Sequence, residues 1–291
     1  MPSKLETCVS TDRPGSPTIG DILFETNTNR LITYDGTDWR TYDSDGIAYS
    51  SVGATELHYS TGLWSSASAT YYISTSPAMH FDATILDGAD AGNNPANGVA
   101  ISTWGDRSGN STNYDATQAS ASLQPTFATS GPGSRPAVTW ATDILDLATT
   151  WSKTYSCTMI YVAQSGSGIL TNVLGYTNYL NQFWMVSTQN YICGATAGTV
   201  TTDHDVHNMY AIHRDHTSAE VFEGGGTSVY GPATRAEEMK VSKIGQTAFG
   251  GDQSGTISEI LVFESALSTA DLNVIKSYIA NKYSLTLATF T

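Results

Sequence analysis

Histidines and carboxylates crowd one short segment of this chain. His204, His207, His213 and His216 are interleaved with Asp203, Asp205 and Asp215. Imidazole and carboxylate together form the ligand set of zinc and related ions, and His204 and His207 would share one face of a helix. The segment reads instead as a turn followed by a strand, so a structural role is expected for these histidines. A second cluster is rich in oxygen: Asp82, Asp87 and Asp90, followed by Asn93 and Asn94. Hard donors of this kind suit calcium, although their spacing does not match an EF-hand loop, and a solvated Asp/Asn/Gly loop is the plainer reading. A third cluster is aromatic and amide-bearing: Tyr176, Asn178, Tyr179, Gln182 and Trp184. Such faces stack on sugar rings, and they equally fill interfaces between subunits.

Other chemistries are excluded. Gly224-Gly225-Gly226 follows a strand but has neither a Lys-Ser/Thr pair nor a helix after it, so it does not cradle phosphate. No nucleophile elbow of the G-x-S-x-G type is present. Three widely spaced cysteines, Cys8, Cys157 and Cys193, contain no CxxC pair and argue against a cysteine zinc site. Cys157 and Cys193 lie in apolar runs and are expected in the core, whereas Cys8 falls in an expected flexible arm. A net charge of −14 repels phosphate backbones and anionic lipid, so no nucleic-acid partner is expected. No apolar run is long enough for a membrane span, and no signal-peptide core opens the sequence; membrane insertion and signal-directed secretion are therefore not expected.

The elements that must position these residues are mostly short strands. Charged residues are only 14% of the 291, and Ser, Thr, Gly, Asn and Tyr are abundant, a mix that suits hydroxyl-bearing β-surfaces. From Pro77 onward, strands are predicted at 78–82, 98–104, 137–140, 157–164, 173–175, 183–187, 191–193, 208–214, 219–223, 241–244 and 256–263. Turn-forming clusters separate them, the pattern of an antiparallel sandwich. Asp215-His216-Thr217-Ser218 is a predicted tight turn between two alternating runs. One helix is predicted over Thr269–Lys282, with Ser268 as N-cap and Asp271 near the positive end of the dipole. Its stripe, Leu272, Ile275, Ile279 and Lys282, ends on a basic residue and is expected to pack across one end of the sandwich.

The beginning of the chain is patterned separately. Residues 1–19 carry three prolines and read as an extended arm, and residues 44–76 read as a connector. Between them, Ile22–Glu25, Arg30–Tyr34 and the run from Trp39 read as three strands joined at Asn27-Thr28-Asn29 and Asp35-Gly36. With Gly20-Asp21, Phe24, Leu31, Tyr34 and Trp39 at fixed intervals, residues 20–39 resemble the N-terminal pieces of bacteriophage virion proteins. That resemblance implies a docking segment. A small meander cannot bury its apolar side chains alone, so partners are expected: other virion proteins, and copies of the same chain, with a trimer favoured.

A second resemblance rests on several pieces in order: His80-Phe81-Asp82-Ala83, Trp104-Gly105-Asp106-Arg107-Ser108-Gly109-Asn110, Gln124-Pro125-Thr126-Phe127, Arg135-Pro136-Ala137-Val138-Thr139-Trp140 and Ile257–Ser268 leading into the helix. Together they are similar to laminin-G-like domains of the concanavalin A-like lectin/glucanase superfamily. This implies a two-sheet jelly roll, with lectins, hydrolases and inert spacers all possible on it. In the superfamily's glucanases a Glu-x-Asp-x-x-Glu strand supplies two catalytic carboxylates about 5–5.5 Å apart. Glu259 and Glu264 keep the outer spacing, but Leu261 replaces the central acid, and residues five apart on a regular strand face opposite ways. Glu259 is therefore expected on the surface and Glu264 at a turn.

The expected molecule is thus all-β: a meander segment (1–43), a connector (44–76) and an antiparallel jelly-roll sandwich with one C-terminal helix (77–291). Its expected role is a non-enzymatic phage virion protein on the particle surface (capsid decoration, fibre or tail appendage), with host-surface glycan as a possible ligand. A free carbohydrate-binding lectin is the alternative, and a glycan hydrolase the third reading. No cofactor is expected beyond possible calcium.

Overall fold

A computed structural model describes residues 75–88, 93–164, 207–216, 218–227, 238–245 and 255–291 with their side chains, and elsewhere chiefly the backbone of strands. The chain divides into two compact units, Met1–Ser74 and Thr75–Thr291. In the first, β1 (Glu6–Cys8), β2 (Ile22–Glu25), β3 (Arg30–Tyr34), β4 (Trp39–Tyr42) and β5 (Ala48–Tyr49) form one sheet in sequence order. The meander β2–β4 is antiparallel, as the turn signals require, and its register sets Phe24 opposite Leu31 and Tyr34 opposite Trp39. Leu23 is buried. Cys8 does not lie in a flexible arm: Glu6–Cys8 runs parallel to Leu23–Glu25, so its backbone is held by a sheet edge. β6 (Leu57–Tyr59) and β7 (Tyr71–Ile73) pair separately.

The second unit is an antiparallel two-sheet sandwich. Its strands are β8 (Met79–Asp82), β9 (Thr103–Trp104), β10 (Ala116–Thr117), β11 (Thr126–Ala128), β12 (Ala137–Trp140), β13 (Leu145–Lys153), β14 (Cys157–Ser165), β15 (Thr171–Gly175), β16 (Phe183–Val186), β17 (Asn190–Cys193), β18 (Ala197–Gly198), β19 (Asn208–Asp215), β20 (Ser218–Glu223), β21 (Tyr230–Thr234), β22 (Met239–Ile244) and β23 (Gly255–Phe263). One sheet has the order β18-β17-β16-β15-β22-β13-β10-β9; the other runs β11-β12-β23-β14-β19-β20-β21, with β8 also paired to β23. Alternation along the strands sends Trp104, Trp140, Trp151, Met159, Tyr161, Tyr210 and Val241 into one shared core. Burying each side chain of this size stabilises by a few kcal/mol, roughly 25 cal/mol per Å² of apolar surface. The β19–β20 hairpin closes as predicted, with Asp215 opposite Ser218 and His216 in the left-handed region at φ 50°.

Strand β23 is the pivot of the fold. One edge pairs along its length with β14; the other is shared, β12 taking Gly255–Ile257 and β8 taking Glu259–Val262. The β14 register jumps from Val162↔Glu259 to Ala163↔Ile257, leaving Ser258 as a bulge residue. Ile257, Ile260 and Val262 consequently belong to the interior core, while Glu259, Leu261 and Phe263 are buried outside it. β8 divides the same way, with Met79 and Phe81 inward and His80 and Asp82 on the other face.

The helix α1 (Thr269–Tyr283) covers that other face. It does not cap one end of the sandwich as expected. Its Tyr278, Lys282 and Tyr283 bond Glu259 and Asp82, and the turn before it is tied to β14 and β19 through Thr158 and His213. The reason is the apolar outer surface left by Ile160, Val162, Met209, Ala211, Leu261 and Phe263, which needs a third layer. Ser268 caps the helix by accepting from the Asp271 backbone N–H, as predicted. Ser284 ends it in the left-handed conformation. Gly133, at φ +58°, passes so close that a Cβ there would lie 2.6 Å from the Tyr283 carbonyl.

Candidate functional site

The chemically dense place in the described residues is the seam between α1 and the outer face of β8 and β23. The register sets Asp82 directly opposite Glu259, two like charges that would repel if left alone. Lys282 resolves this from above. Its Nζ donates to Asp82 Oδ2 at 2.7 Å, to Glu259 Oε2 at 3.0 Å and to the Tyr278 hydroxyl at 2.8 Å, so all three ammonium protons are used. The same nitrogen lies 5.2 and 5.1 Å from the ring centroids of Tyr278 and Tyr283.

Both carboxylates are saturated. Glu259 Oε1 accepts from His80 Nε2 and from the Tyr278 hydroxyl, each at 2.7 Å, and Oε2 accepts from Lys282 and from the Tyr283 hydroxyl at 2.8 Å. Asp82 Oδ1 accepts from the Thr84 N–H at 2.9 Å and the Thr84 hydroxyl at 2.7 Å; Oδ2 accepts from Lys282 and from Arg107 NH1, each at 2.7 Å. Asp82 and Glu259 are 1% exposed, His80 2% and Lys282 4%, so the group is dry.

The electrostatics follow from that dryness. Burial is the largest single effect and would raise both carboxyls, but Lys282, His80 and, at Asp82, Arg107 together outweigh it. Both acids are held below their ordinary values and stay ionised. Burial is the largest effect on His80 and outweighs Glu259, lowering the imidazole. His80 is therefore neutral at pH 7, with its proton on Nε2 facing Glu259. Burial and the two carboxylates push Tyr278 and Tyr283 well above the ordinary tyrosine value. Two negative charges, Asp82 and Glu259, meet two positive ones, Lys282 and Arg107, and the seam is neutral.

His80, Asp82 and Glu259 each offer a ligand atom within 4.8 Å of one another. Lys282 stands on both carboxylates and Arg107 on one, so a divalent ion would have to displace two cations. The oxygen-rich calcium set is not assembled here: Asp82 is consumed in the seam, Asp87 is exposed and takes the Asn93 amide, and Asp90 lies outside the described residues. Glu259 is corrected from a surface residue to a buried one, because the Ser258 bulge turns it under the helix. Glu264 is exposed and pairs with Lys153 at 3.2 Å, so the two glutamates are not brought together. The described histidines scatter: His207 bonds Thr256, His213 the Leu267 carbonyl and His216 the neighbouring Asp215, while His204 lies outside the described residues. Tyr176, Asn178, Tyr179 and Gln182 also lie outside them, and Trp184 is placed only as a residue of β16.

The sequence held a signal for the seam that the charge rules obscured. Lys282 completes an apolar helical stripe, and Glu259 interrupts an apolar strand; a cation and an anion each buried by pattern can only be satisfied by pairing. Asp106 accepts the His80 and Ser108 backbone N–H groups, and Arg107 reaches past it to Asp82.

No family model and no curated protein matches the chain. Solved structures similar to it include a Trypanosoma rangeli sialidase (10% identity, 89% of this chain and 44% of that one, TM-score 0.47). A GH54 α-L-arabinofuranosidase is also similar (10% identity, 63% of this chain and 51% of that one, TM-score 0.46). So is the Ruminococcus gnavus IT-sialidase CBM40 bound to α2,3-sialyllactose (14% identity, 43% of this chain and 84% of that one, TM-score 0.32). The chain spans a third to a half of the length of the first sialidases and arabinofuranosidases. These neighbours are carbohydrate-binding or glycosidase-type folds. The expectation of a non-enzymatic protein is corrected by the hydrolases among them and is not retained. At these identities and TM-scores the likeness assigns no activity and no substrate.

Proposed function

We propose that this chain is a phage virion surface protein whose first unit docks on the particle and whose second, a laminin-G-like sandwich, recognises glycan on the host surface. The observation that supports this reading is the division of the chain at Ser74/Thr75, with the whole virion-like motif on a meander of the smaller unit. Phe24 faces Leu31 and Tyr34 faces Trp39 in its register, so the residues of the motif form cross-strand pairs. A sheet of strands two to five residues long gains stability by burying such pairs against a neighbour. Other virion proteins and two further copies of this chain are the proposed neighbours. The acidic composition keeps many copies soluble on one particle.

The test has two arms on the full-length protein. Particles assembled without it are incubated with the purified chain and pelleted; co-sedimentation lost on Trp39→Asp is expected, and equal sedimentation of the variant overturns the docking role. On a glycan array, retention that Trp184→Ala abolishes is expected, and no retention on any glycan overturns the recognition role.

A further inference from the structure

We propose that Lys282 and Asp82 join in an intramolecular isopeptide bond, formed without any other molecule and catalysed by Glu259. Three features of the seam, independent of the function proposed above, carry this. An amine and a carboxyl are held in contact, 2.7 Å apart, inside a site from which water is excluded. That contact brings Nζ close to the roughly 3–3.5 Å from Cγ that defines a near-attack arrangement. A second carboxylate, Glu259, lies 3.0 Å from the same nitrogen and can carry a proton. The carboxyl to be attacked is also polarised: the N–H and hydroxyl of Thr84 both point at Asp82 Oδ1, where charge would build up.

The step balances within the seam. The ammonium of Lys282 gives one proton to Asp82 Oδ2, producing a neutral amine and a neutral acid. Burial favours this neutral pair, but Lys282 and Arg107, both 2.7 Å from Oδ2, hold Asp82 ionised, so the neutral pair is a minor species and bond formation is slow. Nζ bonds Cγ, and Oδ1 takes the negative charge against the Thr84 donors. Glu259 removes a second proton from nitrogen. The Oδ1 carbonyl then re-forms, the Cγ–Oδ2 bond breaks, and Oδ2 leaves as water with the proton returned by Glu259. Nitrogen keeps one proton as the amide N–H, and Glu259 ends ionised as it began. No oxidant, nucleotide or metal takes part. The bond would tie the first strand of the sandwich to its last helix, across 200 residues of chain.

Intact mass spectrometry of the denatured full-length chain tests this, followed by tryptic peptide sequencing. Expected is a mass one water below that of the sequence, and a branched peptide joining the fragments that contain Asp82 and Lys282. Lys282→Arg and Asp82→Ala should restore the full mass. Glu259→Gln should slow bond formation by roughly 10²-fold or more. The wild-type chain is itself the deciding sample, so misfolding of a variant does not spare the proposal. A full-mass wild type after prolonged incubation overturns it, and so does a water deficit that maps to an Asp-Gly step instead of a branched peptide.

Discussion

Replacing Lys282 by methionine keeps most of the buried stem and removes the charge. Asp82 and Glu259 would then share the seam with Arg107 alone, one negative charge in excess, and Glu259 Oε2 would lose its ammonium partner. Breaking a buried ion pair by deleting one member destabilises by about 3–5 kcal/mol. For a domain of this size each kcal/mol shifts the melting temperature by roughly 2–4 °C, so a fall of roughly 6–20 °C is expected. Where the isopeptide bond has formed, Lys282 carries no charge; the substitution then removes the tie and restores an Asp82 carboxylate in excess, and the fall is at the upper end. The pH dependence carries the mechanism. Without Lys282 the Glu259 carboxyl rises above its unfolded value, so the folded state binds the extra proton first. The gap between variant and wild type should therefore narrow as the pH falls from 7 towards 4. Thermal melts of both proteins at several pH values measure this. A loss below about 1 kcal/mol, or a gap that does not change with pH, would refute a buried and mutually neutralised seam.

Three further outcomes are expected. In the wild type, His80 and Glu259 both have lowered values. Stability should fall on acidification, first below pH ~6.5 as the unfolded histidine gains a proton and again below ~4.3, whereas the raised Tyr278 and Tyr283 should make it fall above pH ~10. Melts across pH 3–11 on Tyr283→Phe, which should flatten the alkaline side, check the assignment. Gly133→Ala places a Cβ 2.6 Å from the Tyr283 carbonyl in a left-handed conformation, and should lower stability by about 1 kcal/mol or more in urea unfolding. Ser268→Ala removes the acceptor for the Asp271 N–H and should lower stability by about 1 kcal/mol, read the same way.

The sandwich was legible where apolar, β-prone runs are bounded by turn residues. Cys157–Ser165, Asn208–Asp215 and Ser218–Glu223 are such runs, and the structure moves their ends by no more than a residue. Leu145–Lys153 was missed because the exposed Ala148-Thr149-Thr150 separates its buried residues Leu145, Leu147 and Trp151, at the place where its register against β22 shifts. The run 98–104 reads as one strand in sequence but holds only Thr103–Trp104 and a single bridge at Ala100. Glu6–Cys8 has only three residues and pairs in parallel, which no local turn signal announces. The seam was illegible for a different reason. Its members lie 80, 82, 107, 259 and 282 residues along the chain, and the rule that charges belong at the surface points away from each of them. Only the bulge at Ser258 and the third layer made by α1 bring them under cover.

The proposal that the first unit is a docking sheet needs partners for its cross-strand pairs, and one measurement reaches it most directly. Multi-angle light scattering of the full-length chain over a range of concentrations should give a trimer mass, reduced to that of a single chain by Trp39→Asp. A wild-type chain that stays monomeric at the highest concentration would contradict it.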